Sequence, residues 1–334
     1  MGAVFQIGWG GFSVLERVRQ LTHKEMRTVD DVIRRQLHSD VVLIRQVGEY
    51  IVNSGGKRLR PLLTVLSANA CGYRGAHHYD LAAVVEFIHT ATLLHDDVVD
   101  ASDLRRGKST ANAVFGNAAS VLVGDFLYSR AFQMMVAIGN LRVMNVMADA
   151  TNIIAEGEVL QLLNCHEPDT DEQRYLQVIR YKTAQLFEAS ARLGAILGDV
   201  SAADEQAMAA YGMHLGTAFQ LIDDVLDYSG NYQETGKNVG DDLAEGKPTL
   251  PLLYAMRNGS TAQAAVIRAA IAQGGRDGID AVMEAIQQTG ALQYAHGKAE
   301  DESARARAAI AHLPHSNHKD CLLQLADFAV SRTY

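Results

Sequence analysis

Two stretches of this sequence repeat one arrangement of carboxylates: Leu93-Leu94-His95-Asp96-Asp97-Val98-Val99-Asp100 and, 127 residues further on, Gln220-Leu221-Ile222-Asp223-Asp224-Val225-Leu226-Asp227. On a helix, positions i and i+4 share a face, so Asp96 with Asp100 and Asp223 with Asp227 each form a carboxylate pair one turn apart. Magnesium usually takes only one or two carboxylates and completes its shell with water and phosphate oxygens, so such pairs suit a metal-bridged phosphate better than an all-protein cage. A solvated acidic helix end is the competing explanation of one copy. It explains two copies poorly, because acid at a helix C-terminus opposes the macrodipole and both segments are otherwise strongly apolar.

An anionic substrate needs cations, and short loops supply them. Gly55-Gly56-Lys57-Arg58-Leu59-Arg60-Pro61 sets three cations beside two glycines, a backbone that can approach a phosphate while arginine offers forked donors. Arg105-Arg106-Gly107-Lys108 follows the first acidic cluster within a few residues. Either basic run alone is more often a solvated loop; beside a metal clamp the second reads as a diphosphate grip. Lys182-Thr183 and Gln220 lie within apolar helical stretches, and Lys237 and Lys247 within the glycine-containing stretch 235–249. Spacing alone leaves each of these open between a surface residue and a ligand. His89, two turns before Asp96 on the same face, is by spacing alone a satisfied core histidine. There is no Ser/His/Asp set, Walker loop or dinucleotide fingerprint.

The elements that must position these groups are long helices. Apolar residues recur at three- and four-residue spacing through 41–52, 81–99, 119–136, 143–163, 175–197 and 207–228, punctuated by Gly, Pro and Asp. Five prolines in 334 residues, 7% aromatic residues and 48% hydrophobic residues favour a large helical protein over a β-sandwich or a disordered chain. No linker interrupts residues 26–334, which read as one domain; residues 1–25 read as a loosely ordered extension without the features of a signal peptide. A net charge of −9 disfavours a general nucleic-acid surface, and three scattered cysteines suggest neither disulfides nor a Cys-x-x-Cys metal site. No run of 18 apolar residues suggests a transmembrane segment, and a cytoplasmic location is expected.

Taken together, the two aspartate clusters, the two basic runs, Gly124-Asp125, Glu156-Gly157-Glu158, Lys182-Thr183-Ala184, Phe219-Gln220 and Gly240-Asp241-Asp242-Leu243 resemble the trans-polyprenyl diphosphate synthases, in order from about residue 27 onward. The resemblance is strongest to the bacterial branch whose octaprenyl product becomes a quinone side chain. It implies an all-α isoprenoid synthase fold, a single bundle of long helices around a deep central cavity, usually a homodimer. It further implies that Asp96, Asp97, Asp100, Asp223, Asp224 and Asp227 hold two or three Mg²⁺ ions. Lys57, Arg60, His89 and Arg106 would bind isopentenyl diphosphate. Arg105, Lys182, Thr183, Gln220, Lys237 and Lys247 would serve the allylic prenyl diphosphate, farnesyl diphosphate being expected, with Thr183 and Gln220 also facing the carbocation.

Product length should depend on what stands behind Asp96. Short-chain members of the family tend to carry a bulky aromatic four or five residues earlier; here those positions are Thr92 and Ala91, both small, so the tunnel is expected to stay open, with Phe132, Met134 and Met135 as a deeper floor. Shorter-chain or solanesyl synthases, a histidine-aspartate phosphohydrolase and a non-catalytic synthase subunit are the rival readings. The phosphohydrolase needs several histidines on one ion, and a non-catalytic subunit should have lost a motif. The segment 262–334 shows no chemistry and is expected to serve packing.

Overall fold

The apolar periodicity folds into helices along almost the whole chain. The computed structural model describes residues 14–53, 55–105, 107–229 and 239–332. In order these contain α1 (Val14–Gln36), α2 (Val42–Asn53), α3 (Leu59–Ala70), α4 (His77–Val99), α5 (Ala111–Phe115), α6 (Asn117–Ile138), α7 (Leu141–Asn164), α8 (Glu172–Ile179), a π-helical turn (Arg180–Ala184), α9 (Gln185–Leu197) and α10 (Ala202–Ser229). After them come α11 (Asp241–Ala244), α12 (Leu250–Asn258), α13 (Thr261–Gln273), α14 (Ile279–Thr289), α15 (Ala291–Ala309) and α16 (Asn317–Ser331). Among the described residues the only strands are a two-residue antiparallel hairpin pairing Leu104 with Ser109 and Arg105 with Lys108. The chain is all-α, as expected.

The expected helices are present, most with slightly wider bounds, while 41–52 is shifted by one residue and 175–197 is divided by the π-helical turn; their ends follow local chemistry. Asn140, Asp171, Ser260 and Ser316 accept backbone N–H groups at the starts of α7, α8, α13 and α16. The N-terminus differs from expectation: residues 14–25 are not a loose extension but the first half of α1. Val18 and Thr22 are buried there, because one face of α1 packs on α3, α4 and α16. Residues 1–13 lie outside the described part.

The two aspartate-bearing helices, α4 and α10, are held by one common neighbour. α9 packs against both, and α3 covers α9 and α4. α6 lies along α4, and α15 along α10. By length and composition α6 could cross a membrane, with about a third of its most apolar stretch buried in the structure. Between these helices opens a cavity of about 950 Å³, with both acidic clusters at its mouth and Ile33, Leu37, Ile51, Phe87 and Leu127 along its apolar walls.

At the start of α4, His78 is buried between the rings of Tyr73 and Tyr79, and burial lowers its pKa from 6.5 to about 4. The folded state therefore keeps this imidazole neutral while the unfolded chain takes up a proton below pH 6.5. Stability should be intact above pH 6.5 and should fall by up to about 3 kcal/mol as the pH drops towards 4. Denaturant titrations of His78→Gln over this range should show a flatter acid limb than the parent; an identical slope would exclude His78 as its source.

Candidate active site

Successive residues on α4 are rotated by about 100°, so His89, Thr92, Asp96 and Asp100 fall within about 40° of Asp96's direction. All four line the cavity. Lys182 Nζ stands 3.5 Å from Asp96 Oδ2, and Lys247 Nζ donates to Asp100 Oδ2 at 3.2 Å. Asp97 is rotated off this face and buried, and its Oδ1 accepts two donors of Arg105, Nε at 2.8 Å and Nη2 at 2.7 Å. One carboxylate of the first cluster thus orients a guanidinium at the cavity rim.

The second cluster repeats this division. Asp223 faces the cavity and pairs through Oδ1 with Arg332 Nη1 at 2.6 Å. Asp224 is buried, accepting Tyr175 Oη at 2.6 Å and Gln220 Nε2 at 2.8 Å. Asp227 Oδ2 accepts the backbone N–H of Asp242 at 3.2 Å, and its carbonyl accepts that of Gly240, so α11 is tied to the cluster. This accounts for the Gly240-Asp241-Asp242 motif.

Lys182 and Thr183 sit in the π-helical turn, an irregularity that often marks functional sites. Its extra residue carries Lys182 to Glu158 Oε2 at 2.6 Å and lets Thr183 Oγ1 donate to Gln220 Oε1 at 3.1 Å. Thr183, Gln220, Asp224 and Tyr175 form one continuous hydrogen-bonded chain. α7 can approach this turn only because residue 157 lacks a side chain; a Cβ there would lie 2.6 Å from the Lys182 backbone nitrogen. The Gly124-Asp125 motif has a similar origin, since His95 fills the space over Gly124 and pairs with Asp125 at 3.5 Å.

The basic loop enters the cavity from the start of α3. Gly55 has φ +83°, and Arg58 is in the left-handed region with φ 50°, its guanidinium held by Glu86 at 2.8 Å. Arg58 is thereby committed to Glu86. Arg60 lies 4.5 Å over the Phe187 ring with Nη1 3.2 Å from His89 Nε2, so His89 accepts there and carries its proton elsewhere. Lys57 Nζ is 5.8 Å over the Phe328 ring.

Burial, and after it the crowding of like charge, raises the carboxyl pKa values at the mouth. Burial raises the Asp96 carboxyl, opposed by Lys182 and reinforced by Asp100. Burial also pushes Glu158 up to about 7 and Asp224 up to about 8, in the latter case with help from Asp242 and against the Tyr175 and Gln220 hydrogen bonds. For Lys247, burial favours the neutral amine, but Asp242, Asp100 and Glu245 override it and raise the pKa. Among the described residues no three His, Cys, Asp or Glu side chains converge into a ready metal cage. The hard oxygen pairs Asp96 with Asp100 and Asp223 with Asp227 open onto a cavity also lined by Lys57, Arg60, Arg105, Lys182 and Lys247, and have the donor chemistry of a magnesium site shared with an anion.

Arg106 and Lys237 lie outside the described residues. Lys57, Arg60, His89, Arg105, Lys182, Thr183, Gln220 and Lys247 all line the one cavity with the aspartates. The chain-length positions divide differently. Thr92 lines the cavity, but Ala91, one residue further round the helix and about 140° from Asp96, is fully buried in the same core as Met134 and Met135. Phe132 stacks on Tyr128 beside a separate shallow recess. The expected floor of Phe132 and Met135 is therefore not part of the cavity wall. Two residues that were not singled out belong to the site, Tyr175 and Arg332, and Glu158 and Asp242, quoted within motifs but given no role, belong to it as well. Arg332 corrects the expectation that segment 262–334 serves packing alone.

Comparison with known proteins decides the family. Residues 41–289 match the polyprenyl synthetase family. The chain belongs to this family. Octaprenyl diphosphate synthase of Escherichia coli (strain K12) is 56% identical over 95% of this chain and 99% of that protein, and the enzyme of the same name from Haemophilus influenzae is 54% identical over 96% and 98%. The crystal structure of a polyprenyl synthase from Caulobacter crescentus CB15, complexed with calcium and isoprenyl diphosphate, superposes with a TM-score of 0.92 at 44% identity, covering 98% of this chain and 100% of that one. The fold is thus that of the polyprenyl synthases, and the chain is a prenyltransferase making long-chain trans-polyprenyl diphosphate.

If Gly157 exists to seat the π-helical turn, Gly157→Ala must push Lys182 and Thr183 out of register. The variant should lose at least tenfold in turnover while the midpoint of thermal unfolding, followed by circular dichroism, falls by only a few degrees. Unchanged turnover would show that the close approach of α7 has no catalytic role.

Proposed function

We propose that this synthase elongates an allylic diphosphate, farnesyl diphosphate, with successive isopentenyl diphosphates to octaprenyl diphosphate, the precursor of a quinone side chain. The observation that carries the reading is the placement of two carboxylate pairs and two sets of cations at the mouth of one apolar cavity, so that a diphosphate can be gripped outside while its hydrocarbon tail lies within. The 56% identity to a relative named for the octaprenyl product supports that length.

Asp96, Asp100, Asp223 and Asp227 would hold Mg²⁺, which supplies Lewis-acid stabilisation of the departing diphosphate. Lys182, Lys247 and Arg105 neutralise the same leaving group, so the allylic C–O bond breaks with its electron pair passing to diphosphate. Lys57, Arg60 and His89 orient isopentenyl diphosphate so that its double bond attacks the cationic carbon. Thr183 and Gln220 turn oxygen dipoles towards that carbon. A proton is then lost to the released diphosphate, which explains a site with neither nucleophile nor dedicated base. Asp97 and Asp224 act as positioning residues through Arg105, Tyr175 and Gln220.

A homodimer is part of this reading. Leu122 and Val136 of α6 and Leu141, Val159, Leu162 and Leu163 of α7 are exposed, an apolar area on adjacent helices that suits a second copy of the chain. The enzyme would work in the cytoplasm and meet a membrane transiently when its product leaves.

Chain length is the sharpest test. With farnesyl and isopentenyl diphosphates and Mg²⁺, mass spectrometry of the hydrolysed products should show mainly octaprenol. Thr92→Phe, which places a ring on the cavity wall one turn below Asp96, should shorten the main product to about geranylgeranyl size, a single addition to the farnesyl primer. Ala91→Tyr, at a position buried in the core and turned away from the cavity, should instead leave the main product long while costing about 1–3 kcal/mol in stability, because that position has no room. An unshortened product from a folded Thr92→Phe enzyme would contradict this path for the tail.

A further inference from the structure

Arg332 follows directly after α16, in the segment where the sequence shows no chemistry, yet its side chain is 2% exposed while that of its partner Asp223 is 42% exposed. Its guanidinium lies 3.7 Å over the Phe219 ring. Nη1 meets Asp223 Oδ1, Nη2 donates to the Phe219 carbonyl and Nε donates to the Ala329 carbonyl at 3.3 Å. The ring of Phe219 is 5.6 Å from that of Phe187, which carries Arg60, and one turn earlier on α16 Phe328 carries Lys57. An aromatic floor therefore links Arg332 to the cations assigned to isopentenyl diphosphate, and an ion pair links it to the second aspartate cluster.

A buried guanidinium deprived of its anion costs several kcal/mol, so Arg332 cannot simply lose Asp223 when that carboxylate is given over to a metal. We propose that Arg332 is a substrate-positioning residue that exchanges partners, holding Asp223 in this structure and turning to the diphosphate of isopentenyl diphosphate once Asp223 serves magnesium. The inference rests on the proposed function for the identity of that diphosphate. It assigns to one residue the coupling of the metal cluster to the second substrate site: magnesium competes with Arg332 for Asp223, and the diphosphate compensates the displaced charge.

The test is calorimetry on the full-length protein without turnover. Mg²⁺ titrated into metal-free Arg332→Gln should bind several-fold more tightly than to the parent, since a competing cation is gone. Isopentenyl diphosphate titrated in the presence of Mg²⁺ and farnesyl thiolodiphosphate, which does not ionise, should bind ten- to a hundredfold more weakly, the range for loss of a charged hydrogen bond. Arg332→Lys, which keeps the charge without the fork, should leave the Mg²⁺ affinity near that of the parent and restore part of the isopentenyl diphosphate affinity; it also carries the test should the glutamine variant unfold. A folded variant with unchanged isopentenyl diphosphate affinity, or with weakened Mg²⁺ binding, overturns the proposal. Absence of prenyl transfer by the parent would instead defeat the functional reading, and the Mg²⁺ titration would still decide the partner exchange.

Discussion

Opposite charges concentrated at the mouth of an apolar cavity constrain everything else in this molecule. Lys182 stands against Asp96, Lys247 against Asp100, Arg105 against Asp97 and Arg332 against Asp223. Pairs this buried contribute little net stability, since desolvation offsets most of their attraction. Their value lies in exchange. A metal-bound diphosphate brings anionic oxygens for the cations and a cation for the carboxylates in the same act, so both sets of pairs can be replaced together without leaving any charge stranded.

The local structure serves this arrangement. The π-helical turn and the missing side chain at Gly157 put Lys182 between Glu158 and Asp96. The left-handed Arg58, tied to Glu86, turns the basic loop so that Lys57 and Arg60 rest on aromatic rings at the other side of the mouth. Behind these charges the walls are aliphatic and aromatic. A prenyl tail needs nothing more from the protein than exclusion of water, and the carbocation needs no acid or base that the departing diphosphate does not itself supply.

The parts of this picture legible in the sequence are those fixed by local spacing. Carboxylates four apart on a helix share a face, glycines beside cations offer a pliable backbone that an anion can approach, and uninterrupted apolar periodicity produces long helices. Contacts set by tertiary packing were not legible. Arg332 is a lone arginine 109 residues beyond Asp223, and Tyr175 reaches Asp224 across 49 residues. Rotation round a helix also limits what spacing says. Thr92 and Ala91 are neighbours in sequence, but one helical step carries Thr92 to the cavity and Ala91 into the core. Similarly, Glu16 to Glu25 gave too little apolar signal to read as ordered, yet α1 there is secured by single buried residues such as Val18.

The direct test of charge exchange as the organising constraint is the affinity for Mg²⁺ with and without inorganic pyrophosphate, measured by isothermal titration on the parent protein and corrected for Mg²⁺ binding to free pyrophosphate. If metal and diphosphate must displace the internal ion pairs together, Mg²⁺ alone should bind weakly and pyrophosphate should tighten it at least tenfold, with Mg²⁺ tightening pyrophosphate by the same factor. Equal Mg²⁺ affinity in the two titrations would contradict the account.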